Sequence, residues 1–463
     1  MPTLEELRNT RIEKLNELKK EGINPYPSKV KREISIKSAV DNFWLHRFAR
    51  KEFYLAGRVK TIREHGKAAF FDIEDGAGKI QVFINPKNLL KKGYEKFLNY
   101  FDVGDFVEVR GKFFKTKKGE KTLRANKARI ITKSIRPLPE KWHGLKDIEE
   151  RYRKRYLDLL MNPEIKKKFL MRSKIIKELR NFLDNEKFSE FETPILQNIP
   201  GGATARPFIT RLNALDMGLY LRIAPELYLK RLLIGGFEKV YEIGRNFRNE
   251  GMDATHNPEF TMLEAYIAYK DSDYLKTFLQ ELFSFLAKKF NSKMDFEQPW
   301  QEKDYDDLIK KYGDFSAQDG PAQPKADQPW AGSGWELAKK DLIQPTFVSG
   351  FPGEILPLSK TLEKDPARAD AFQIVAGGLE LVKAFTEENN PLEQRRRFEE
   401  QEKLRATGEE EAQRLDEDFL EALEYGMPPC AGFGLGIDRL AMLLTNSHTA
   451  REVILFPTMK PKE

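Results

Sequence analysis

Residues 237–250 decide the fold; they read Phe-Glu-Lys-Val-Tyr-Glu-Ile-Gly-Arg-Asn-Phe-Arg-Asn-Glu. The first part has the composition of a strand, and a polar loop separates it from a second strand-like run that begins near Phe260. Side chains alternate between the two faces of an extended chain, so Arg248 and Glu250 are expected to share a face. The pattern therefore predicts a hairpin that carries a guanidinium beside a carboxylate.

Two interpretations of this pair remain open from the residues alone. A guanidinium can hold a phosphate or a carboxylate through two hydrogen bonds, and the neighbouring carboxylate can accept a hydrogen bond from an exocyclic amine such as that of adenine. The alternative is a salt-bridge ladder on the surface. The loop that follows adds His256 as a candidate cation and Phe260 as an aromatic ring able to stack on a base.

Two other stretches of the C-terminal part stand out. Residues 432–443 read Gly-Phe-Gly-Leu-Gly-Ile-Asp-Arg-Leu-Ala-Met-Leu, a glycine-rich strand end followed by a helix. Arg439 would add its charge to the positive end of that helix, or it pairs with Asp438 or another acid in simple strand–helix packing. Residues 190–196, Glu-Phe-Glu-Thr-Pro-Ile-Leu, form a strand entry that ends at a proline and follows an amphipathic helix.

The N-terminal part has a different pattern. Residues 3–21 predict a basic amphipathic helix with Thr3 and Glu6 as its capping box, within a basic helical extension over residues 1–50. Residues 51–140 predict a small barrel of the OB type, a frequent binder of oligonucleotides, with a helix over 86–101 after its third strand. The five predicted strands cover residues 53–59, 68–74, 80–84, 106–114 and 122–131.

Residues 141–463 predict one large domain, so the whole chain is an α+β multidomain protein. Strands interspersed with helices, without regular βαβ alternation, favour an antiparallel sheet flanked by helices. The proline- and glycine-rich segment 299–335 is expected to have little regular structure. Helices are predicted over 163–187, 271–291 and 391–425, and strand-like runs over 219–223, 237–243, 260–269, 346–349, 372–385 and 431–435.

Composition narrows the class of protein and its partners. The chain has 463 residues and a single cysteine, Cys430, which excludes an intramolecular disulfide and a cysteine-rich zinc site. We expect a cytoplasmic protein without a membrane span or a signal peptide. Residues 1–145 contain 33 Lys and Arg against 18 Asp and Glu, whereas the remainder is acidic. This asymmetry indicates either a polyanion partner for the basic part or a solvated lysine-rich face.

Together and in this order, the three stretches resemble the signature motifs of the class II aminoacyl-tRNA synthetases, with motif 1 around Pro194, motif 2 at 247–250 and motif 3 at 434–439. A barrel before the catalytic domain resembles subclass IIb, the aspartyl, asparaginyl and lysyl enzymes. Four longer runs are similar to the lysyl-tRNA synthetases: Gly-Gly-Ala-Thr-Ala-Arg-Pro-Phe at 201–208, Leu-Arg-Ile-Ala-Pro-Glu-Leu-Tyr-Leu-Lys-Arg-Leu at 221–232, Thr-His-Asn-Pro-Glu-Phe-Thr-Met-Leu-Glu at 255–264 and Glu-Val-Ile-Leu-Phe-Pro at 452–457.

The resemblance implies a lysine–tRNA ligase that forms lysyl-adenylate from ATP and transfers the lysine to the 3′ end of tRNA(Lys). It also implies a homodimer, since motif 1 builds the dimer interface in this class. The implied catalytic residues are Arg248, His256 and Arg439, which together with Glu250 and Phe260 would bind ATP. The implied lysine site consists of Gly202, Glu226, Arg248, Glu264, Tyr266, Phe385 and Glu387, and the implied anticodon site of Phe70, Gln81 and Glu120.

Two positions depart from the pattern of the lysyl enzymes. Glu380 is the implied Mg²⁺ ligand, but the acid expected seven residues before it is Gln373, a weaker ligand. The asparagine often found after the Glu380 strand is Lys383, which places a cation near a cationic substrate.

Pro225-Glu226 argues against the aspartyl and asparaginyl relatives, which usually have Pro-Gln there. Three other rivals remain open, namely a catalytically weak paralogue, an enzyme that attaches lysine to a protein, and an RNA-binding protein with an inactive catalytic domain.

Overall fold

The computed structural model describes residues 2–139, 147–297, 299–312 and 333–462. The chain divides into two compact units, Met1–Gly144 and Leu145–Glu463. Among the described residues, no helix is both long enough and apolar enough to cross a membrane.

The N-terminal unit contains a closed barrel of five strands, which confirms the predicted OB-type fold. The strands are ordered β1-β2-β3-β5-β4; β3 and β5 pair in parallel, and β1 closes the barrel on β4. The elements are α1 (Leu4–Lys20), α2 (Ile36–Asp41), α3 (Phe43–Phe48), β1 (Phe53–His65), β2 (Ala68–Glu74), β3 (Lys79–Ile84), α4 (Pro86–Leu89), α5 (Lys91–Tyr100), β4 (Phe106–Lys115) and β5 (Lys121–Thr132).

The helices that precede the barrel share its core. Leu18 of α1 and Phe43 of α3 are buried in the same apolar cluster as Leu55 and Val59 of β1. The helix predicted over 86–101 is two helices, because Leu90 has a φ of 61°. A left-handed backbone at a leucine cannot continue a right-handed helix, so α4 ends there and α5 begins after it.

The second unit combines helices with one large sheet. Its elements are α6 (Ile148–Arg153), α7 (Arg155–Met161), α8 (Pro163–Asn185), β6 (Ser189–Glu190), β7 (Leu196–Gln197), β8 (Ile209–Leu212), β9 (Met217–Leu221), α9 (Glu226–Ile234), β10 (Lys239–Phe247), β11 (Glu259–Ala268), α10 (Ser272–Phe290), β12 (Gln301–Asp304), α11 (Tyr305–Tyr312), α12 (Ser333–Asp341), β13 (Thr346–Ser349), β14 (Thr361–Leu362), β15 (Asp365–Ala369), β16 (Ala371–Ala376), β17 (Leu379–Thr386), α13 (Pro391–Ala406), α14 (Glu417–Glu424), β18 (Cys430–Gly436), α15 (Ile437–Thr445) and α16 (Ala450–Val453).

The large sheet has the strand order β12-β13-β16-β17-β18-β11-β10-β6. Its interior strands pair antiparallel, as predicted, but β12 with β13 and β6 with β10 pair in parallel, so the whole sheet is mixed. One face is covered by helices: Ile175, Leu179 and Leu183 lie four residues apart on α8 and join the main core. This packing holds the sheet rigid while its opposite face carries the candidate site described below.

Three predictions about the second unit were wrong in detail. The helix predicted over 391–425 is two helices, α13 and α14, and the chain between them includes Gly408 at a φ of 111°. The run at 372–385 is a hairpin, β16 and β17, with its turn at Gly377 and Gly378. Segment 299–335 contains β12, α11 and the start of α12, whereas residues 313–332 lie outside the described part of the chain.

Candidate active site

A cavity of about 260 Å³ lies in the second unit, and residues of β11, β18 and β17 line it. The predicted hairpin is present as β10 and β11, although β10 ends at Phe247, so strand alternation does not extend to Arg248 and Glu250. Both side chains nevertheless line the cavity. The predicted site residues found in its wall are Gly202, Glu226, Arg248, Glu250, His256, Phe260, Glu264, Tyr266, Glu380, Phe385 and Arg439.

Strand register brings these residues together. Glu264 of β11 is opposite Gly434 of β18, which is opposite Lys383 of β17. In the same way, Tyr266 is opposite Gly432, which is opposite Phe385. The central strand therefore has a glycine between two large side chains in each row.

Gly432 has no room for a side chain. A Cβ there would lie 2.3 Å from ring carbons of Tyr266 and 2.5 Å from Oε1 of Glu387. Such contacts are far inside van der Waals distance, so the close approach of the neighbouring strands requires glycine.

One end of the cavity is rich in nitrogen donors. Arg439 is held by a hydrogen bond of 3.0 Å from Nη1 to the carbonyl oxygen of Glu380, and its Nη2 lies 3.0 Å from Nε2 of His256. Arg248 places its guanidinium 5.1 Å from the ring centroid of Phe260. Phe260, the ring that the sequence predicts to stack on a base, therefore has the guanidinium of Arg248 beside it.

His256 acts as an acceptor in this arrangement rather than as a cation. A guanidinium can only donate, so Nε2 of His256 accepts from Arg439, and Nδ1 carries the proton that it donates to Asp253 at 2.8 Å. The packing alternative paired Arg439 with Asp438 or another acid, and the ion-pair contact of Arg439 is with Glu380, at 4.0 Å from Nη1 to Oε1, rather than with Asp438. Asp438 accepts from the backbone N–H of Thr261 at 3.0 Å and from Arg172.

Glu380 is a carboxylate surrounded by cations. Desolvation works to raise its pKa, but the positive charges of Lys339 and Arg439 outweigh it and hold the pKa of Glu380 below its usual value. Lys383 contributes in the same direction, while desolvation lowers the pKa of Lys383 itself. Glu380 thus stays ionised at neutral pH in a region of net positive charge.

The opposite end of the cavity is acidic. Glu226, Glu264 and Glu387 are all buried, and Glu264 accepts a hydrogen bond of 3.0 Å from the hydroxyl of Tyr266. Desolvation, followed by the charge of Glu226, raises the pKa of Glu264 to about 8. Glu387 is fully buried and is not itself part of the cavity wall; its Oε1 lies beside Gly432 and the ring of Tyr266, and its Oε2 forms an ion pair with Lys230.

No group of three or more His, Cys, Asp or Glu side chains suitable for a metal ion occurs among the described residues. Gln373 is buried beside the site, opposite Lys383 on the neighbouring strand, and no described residue forms a hydrogen bond with its Oε1. Glu380 and this amide oxygen are hard donors of the kind that Mg²⁺ prefers, so the residues fit an ion held mainly by ligand phosphates.

The barrel has a smaller concave surface of its own. Gln81 and Glu120 line it together with Arg63, Asp72 and Lys79. Gln81 lies opposite Asp72 in the β2–β3 register and accepts a hydrogen bond of 2.9 Å from Thr122. Phe70 is half-buried on β2 outside this surface, with its ring 4.9 Å from that of Phe83.

The chain matches known protein families over both units. Residues 147–460 match the tRNA synthetases class II (D, K and N), and residues 53–131 match the OB-fold nucleic acid binding domain. The chain belongs to the class II tRNA synthetases. The resemblance predicted from its three motifs is thereby confirmed.

Three similar curated proteins are each named Lysine–tRNA ligase. The protein of Pelotomaculum thermopropionicum is 48% identical over 99% of this chain and 96% of its own length. The protein of Thermoanaerobacter sp. is 47% identical over 99% and 97%. That of Carboxydothermus hydrogenoformans is 46% identical over 99% of both chains.

Sequence reasoning missed two lysines of this synthetase. Lys230 follows Glu226 by four residues on α9, a spacing that brings side chains together on a helix. The sequence feature that could have indicated Lys230 is this charged pair within the otherwise apolar run of α9. Lys339 lines the cavity from α12, a helix that begins inside the segment expected to be irregular, and no local pattern connects it with the motifs.

Replacing Gly432 by alanine is expected to lower the unfolding temperature of the synthetase, because overpacking a strand in the middle of a sheet costs about 1–3 kcal/mol. Gly218→Ala on β9 is the matched control, since a Cβ there would meet nothing within 4 Å. Thermal unfolding followed by circular dichroism measures both. Equal losses in the two variants would contradict the close-approach argument.

Proposed function

We propose that this chain is a lysine–tRNA ligase, which activates L-lysine with ATP and transfers it to the 3′ end of tRNA(Lys). The observation that carries the proposal is that one cavity is lined both by the cations Arg248, Lys339 and Arg439 and by the buried carboxylates Glu226 and Glu264. The full-length similarity to proteins named Lysine–tRNA ligase supports it.

In the first step, an oxygen of the lysine carboxylate attacks the α-phosphorus of ATP, and diphosphate leaves. Two anions must approach each other, so their repulsion has to be offset by positive charge. Arg248 is placed to bind the α-phosphate and the lysine carboxylate, and Arg439 with His256 to bind the outer phosphates. Binding a phosphate requires His256 to exchange its acceptor contact with Arg439 for a donated hydrogen bond.

No general base is needed, because the attacking carboxylate is already ionised at neutral pH. The protein therefore contributes positioning and electrostatic stabilisation, as in other phosphoryl chemistry. Glu250 is placed to accept from the adenine amine, and Phe260 to stack on the ring. In the second step, a hydroxyl of the terminal ribose attacks the carbonyl carbon of lysyl-adenylate, and AMP leaves.

Substrate choice follows from the acidic end. A buried ammonium needs a carboxylate with hydrogen-bonding support, and Glu264 with Tyr266 and Glu387 provides it. Gly202 and Glu226 are placed at the α-amino end of the substrate, and Phe385 packs along its alkyl chain. An aspartate or asparagine side chain would meet like charge or unpaired acceptors here.

Mg²⁺ would supply further positive charge for the phosphates when bound. Glu380 is the proposed protein ligand, and Gln373 the candidate for a weaker second contact.

Assembly as a homodimer is also proposed, since apolar side chains near motif 1 are exposed, Ile195 at 44% and Ile209 at 74%. The cytoplasm is the proposed compartment.

The proposal is tested by ATP–diphosphate exchange, which should require L-lysine and Mg²⁺. Arg248→Ala is expected to lower the exchange rate by about 10²-fold or more, as loss of a charge-stabilising donor does elsewhere. Arg211→Ala on β8 is the control, because this exposed arginine lies outside the cavity. Exchange supported by aspartate and not by lysine would overturn the proposal, and RNA binding without any exchange would favour an inactive paralogue.

Lysine affinity is expected to rise with pH between about 6 and 8. In the free protein Glu264 has a pKa of about 8 and is mostly protonated at neutral pH, whereas a bound ammonium favours its ionised form, so binding releases a proton. Above pH 8 the affinity should level off until the substrate amine loses its proton. Calorimetric titration measures this slope.

Glu264→Gln should remove the pH dependence, and Glu259→Gln, an exposed acid of the same strand, should keep it. The assignment to Glu264 fails if the slope is the same in all three proteins.

The barrel is proposed to bind the anticodon, with Phe70 stacking on a base and Gln81 and Glu120 bonding to base edges. Phe70→Ala should then weaken tRNA charging through a higher KM for tRNA, about tenfold for the loss of one stacked base, while lysine-dependent exchange is spared. A similar loss in both assays would show that Phe70 has a structural role through its contact with Phe83.

A further inference from the structure

Lys230 lies directly behind the acidic end of the cavity. Its side chain is fully buried, and Nζ contacts two carboxylates, Oε1 of Glu226 at 2.6 Å and Oε2 of Glu387. Nζ is also 5.6 Å from the ring centroid of Phe385. Both acids belong to the proposed lysine site, but the ammonium itself is not part of the cavity wall.

We propose that Lys230 is a specificity-determining positioning residue for the lysine side chain. Its ammonium forms an ion pair with one of the two carboxylate oxygens of Glu387, so that Glu387 offers a single oxygen to the substrate. This inference rests on the proposed function of the site. It predicts a preference for an ammonium over a guanidinium.

The second oxygen of Glu387 is placed for that role. Among the described residues neither oxygen of Glu387 has a geometrically formed hydrogen bond, but Oε2 is in the ion pair with Lys230, whereas Oε1 has no ion-pair partner and lies where a Cβ of Gly432 would be 2.5 Å away. Gly432 and Tyr266 are both in the wall of the cavity, and Oε1 lies beside the Tyr266 ring on the side of β18 toward which a Cβ at Gly432 would point. A buried, unsatisfied carboxylate oxygen is costly, and a donor brought by a ligand would relieve that cost.

Lys230 also offsets the negative charge of the two carboxylates that it contacts. Without its cation, Glu226 and Glu387 would be like charges in a buried site, and one of them would take up a proton. The two carboxylates keep Lys230 charged in turn: burial works to lower its pKa, but Glu226 and Glu387 together raise it above the usual value. The three acids outnumber this one ammonium, so the site can still accept a cation brought by a ligand.

Geometry explains why that cation would be an ammonium. A guanidinium gains its advantage over an ammonium by binding both oxygens of a carboxylate in parallel. Oε2 of Glu387 is already bound to Lys230, so a guanidinium could form only one of its two bonds there. An ammonium keeps its full set of hydrogen bonds, because each of its N–H groups needs only one acceptor oxygen. One N–H can bond to Oε1 of Glu387 and another to Glu264.

The test is calorimetric binding of L-lysine, L-arginine and ATP to the full-length protein and to Lys230→Met. We expect at least a tenfold weaker affinity for L-lysine, as for loss of one partner of a buried ion pair. The ratio of lysine to arginine affinity should fall as well, since both oxygens of Glu387 become available. ATP affinity should stay within about twofold. Lys239→Met is the matched control, a partly buried lysine whose Nζ bonds to the carbonyl oxygen of Glu186 away from the cavity.

If Lys230→Met does not bind ATP, the variant has not folded. Lys230→Arg is then the variant that tests the proposal. Arginine keeps the charge but can bind both oxygens of Glu387, so it should fold, bind ATP and still lose at least tenfold in L-lysine affinity. The proposal is overturned if a folded variant, with methionine or with arginine, binds L-lysine like the parent. It is also overturned if Lys230→Met weakens L-lysine and L-arginine equally. Failure of the parent protein itself to bind L-lysine would instead overturn the proposed function.

Discussion

The hydrogen-bond register of β10, β11, β18 and β17 is the constraint on which the site depends. Each row across these strands places a glycine of β18 between a side chain of β11 and one of β17, as in Glu264, Gly434 and Lys383. A slip of one residue in any pairing would turn these side chains to the face covered by α8, α10 and α15. Because that face is buried by a large apolar core, the register is held by packing far from the chemistry.

The cavity also brings two groups of opposite charge together. Arg439 and Lys339 act on Glu380, and Lys230 is held between Glu226 and Glu387. A substrate with a carboxylate at one end and an ammonium at the other matches this polarity along its length. In the proposed reaction the same fixed charges would serve for binding and for bringing two anions together, with little need for proton transfer.

Local patterns in the sequence predicted the barrel, the hairpin and five residues of the cavity wall, because strand composition and turn residues are short-range features; the other predicted wall residues came from the resemblance to the lysyl enzymes. Local patterns did not predict the break at Leu90, where a left-handed backbone has no signature in the residue type. Nor did they place Glu387 beside Gly432, since that position results from a pairing of strands more than forty residues apart in sequence. Lys230 was missed because only its tertiary partner, Glu387, distinguishes it from an ordinary helical ion pair.

The two departures from the lysyl family's residues form one structural unit. Gln373 of β16 and Lys383 of β17 are direct cross-strand partners, so their side chains share one face of the sheet. Replacing a carboxylate by an amide and an amide by an ammonium makes the region more positive at both positions. Glu380 lies nearby with its charge already balanced by protein cations. A polyphosphate that enters this region meets positive charges of the protein itself. Because these charges already offset part of the phosphate charge, a Mg²⁺ ion held by a single carboxylate has less of it left to neutralise.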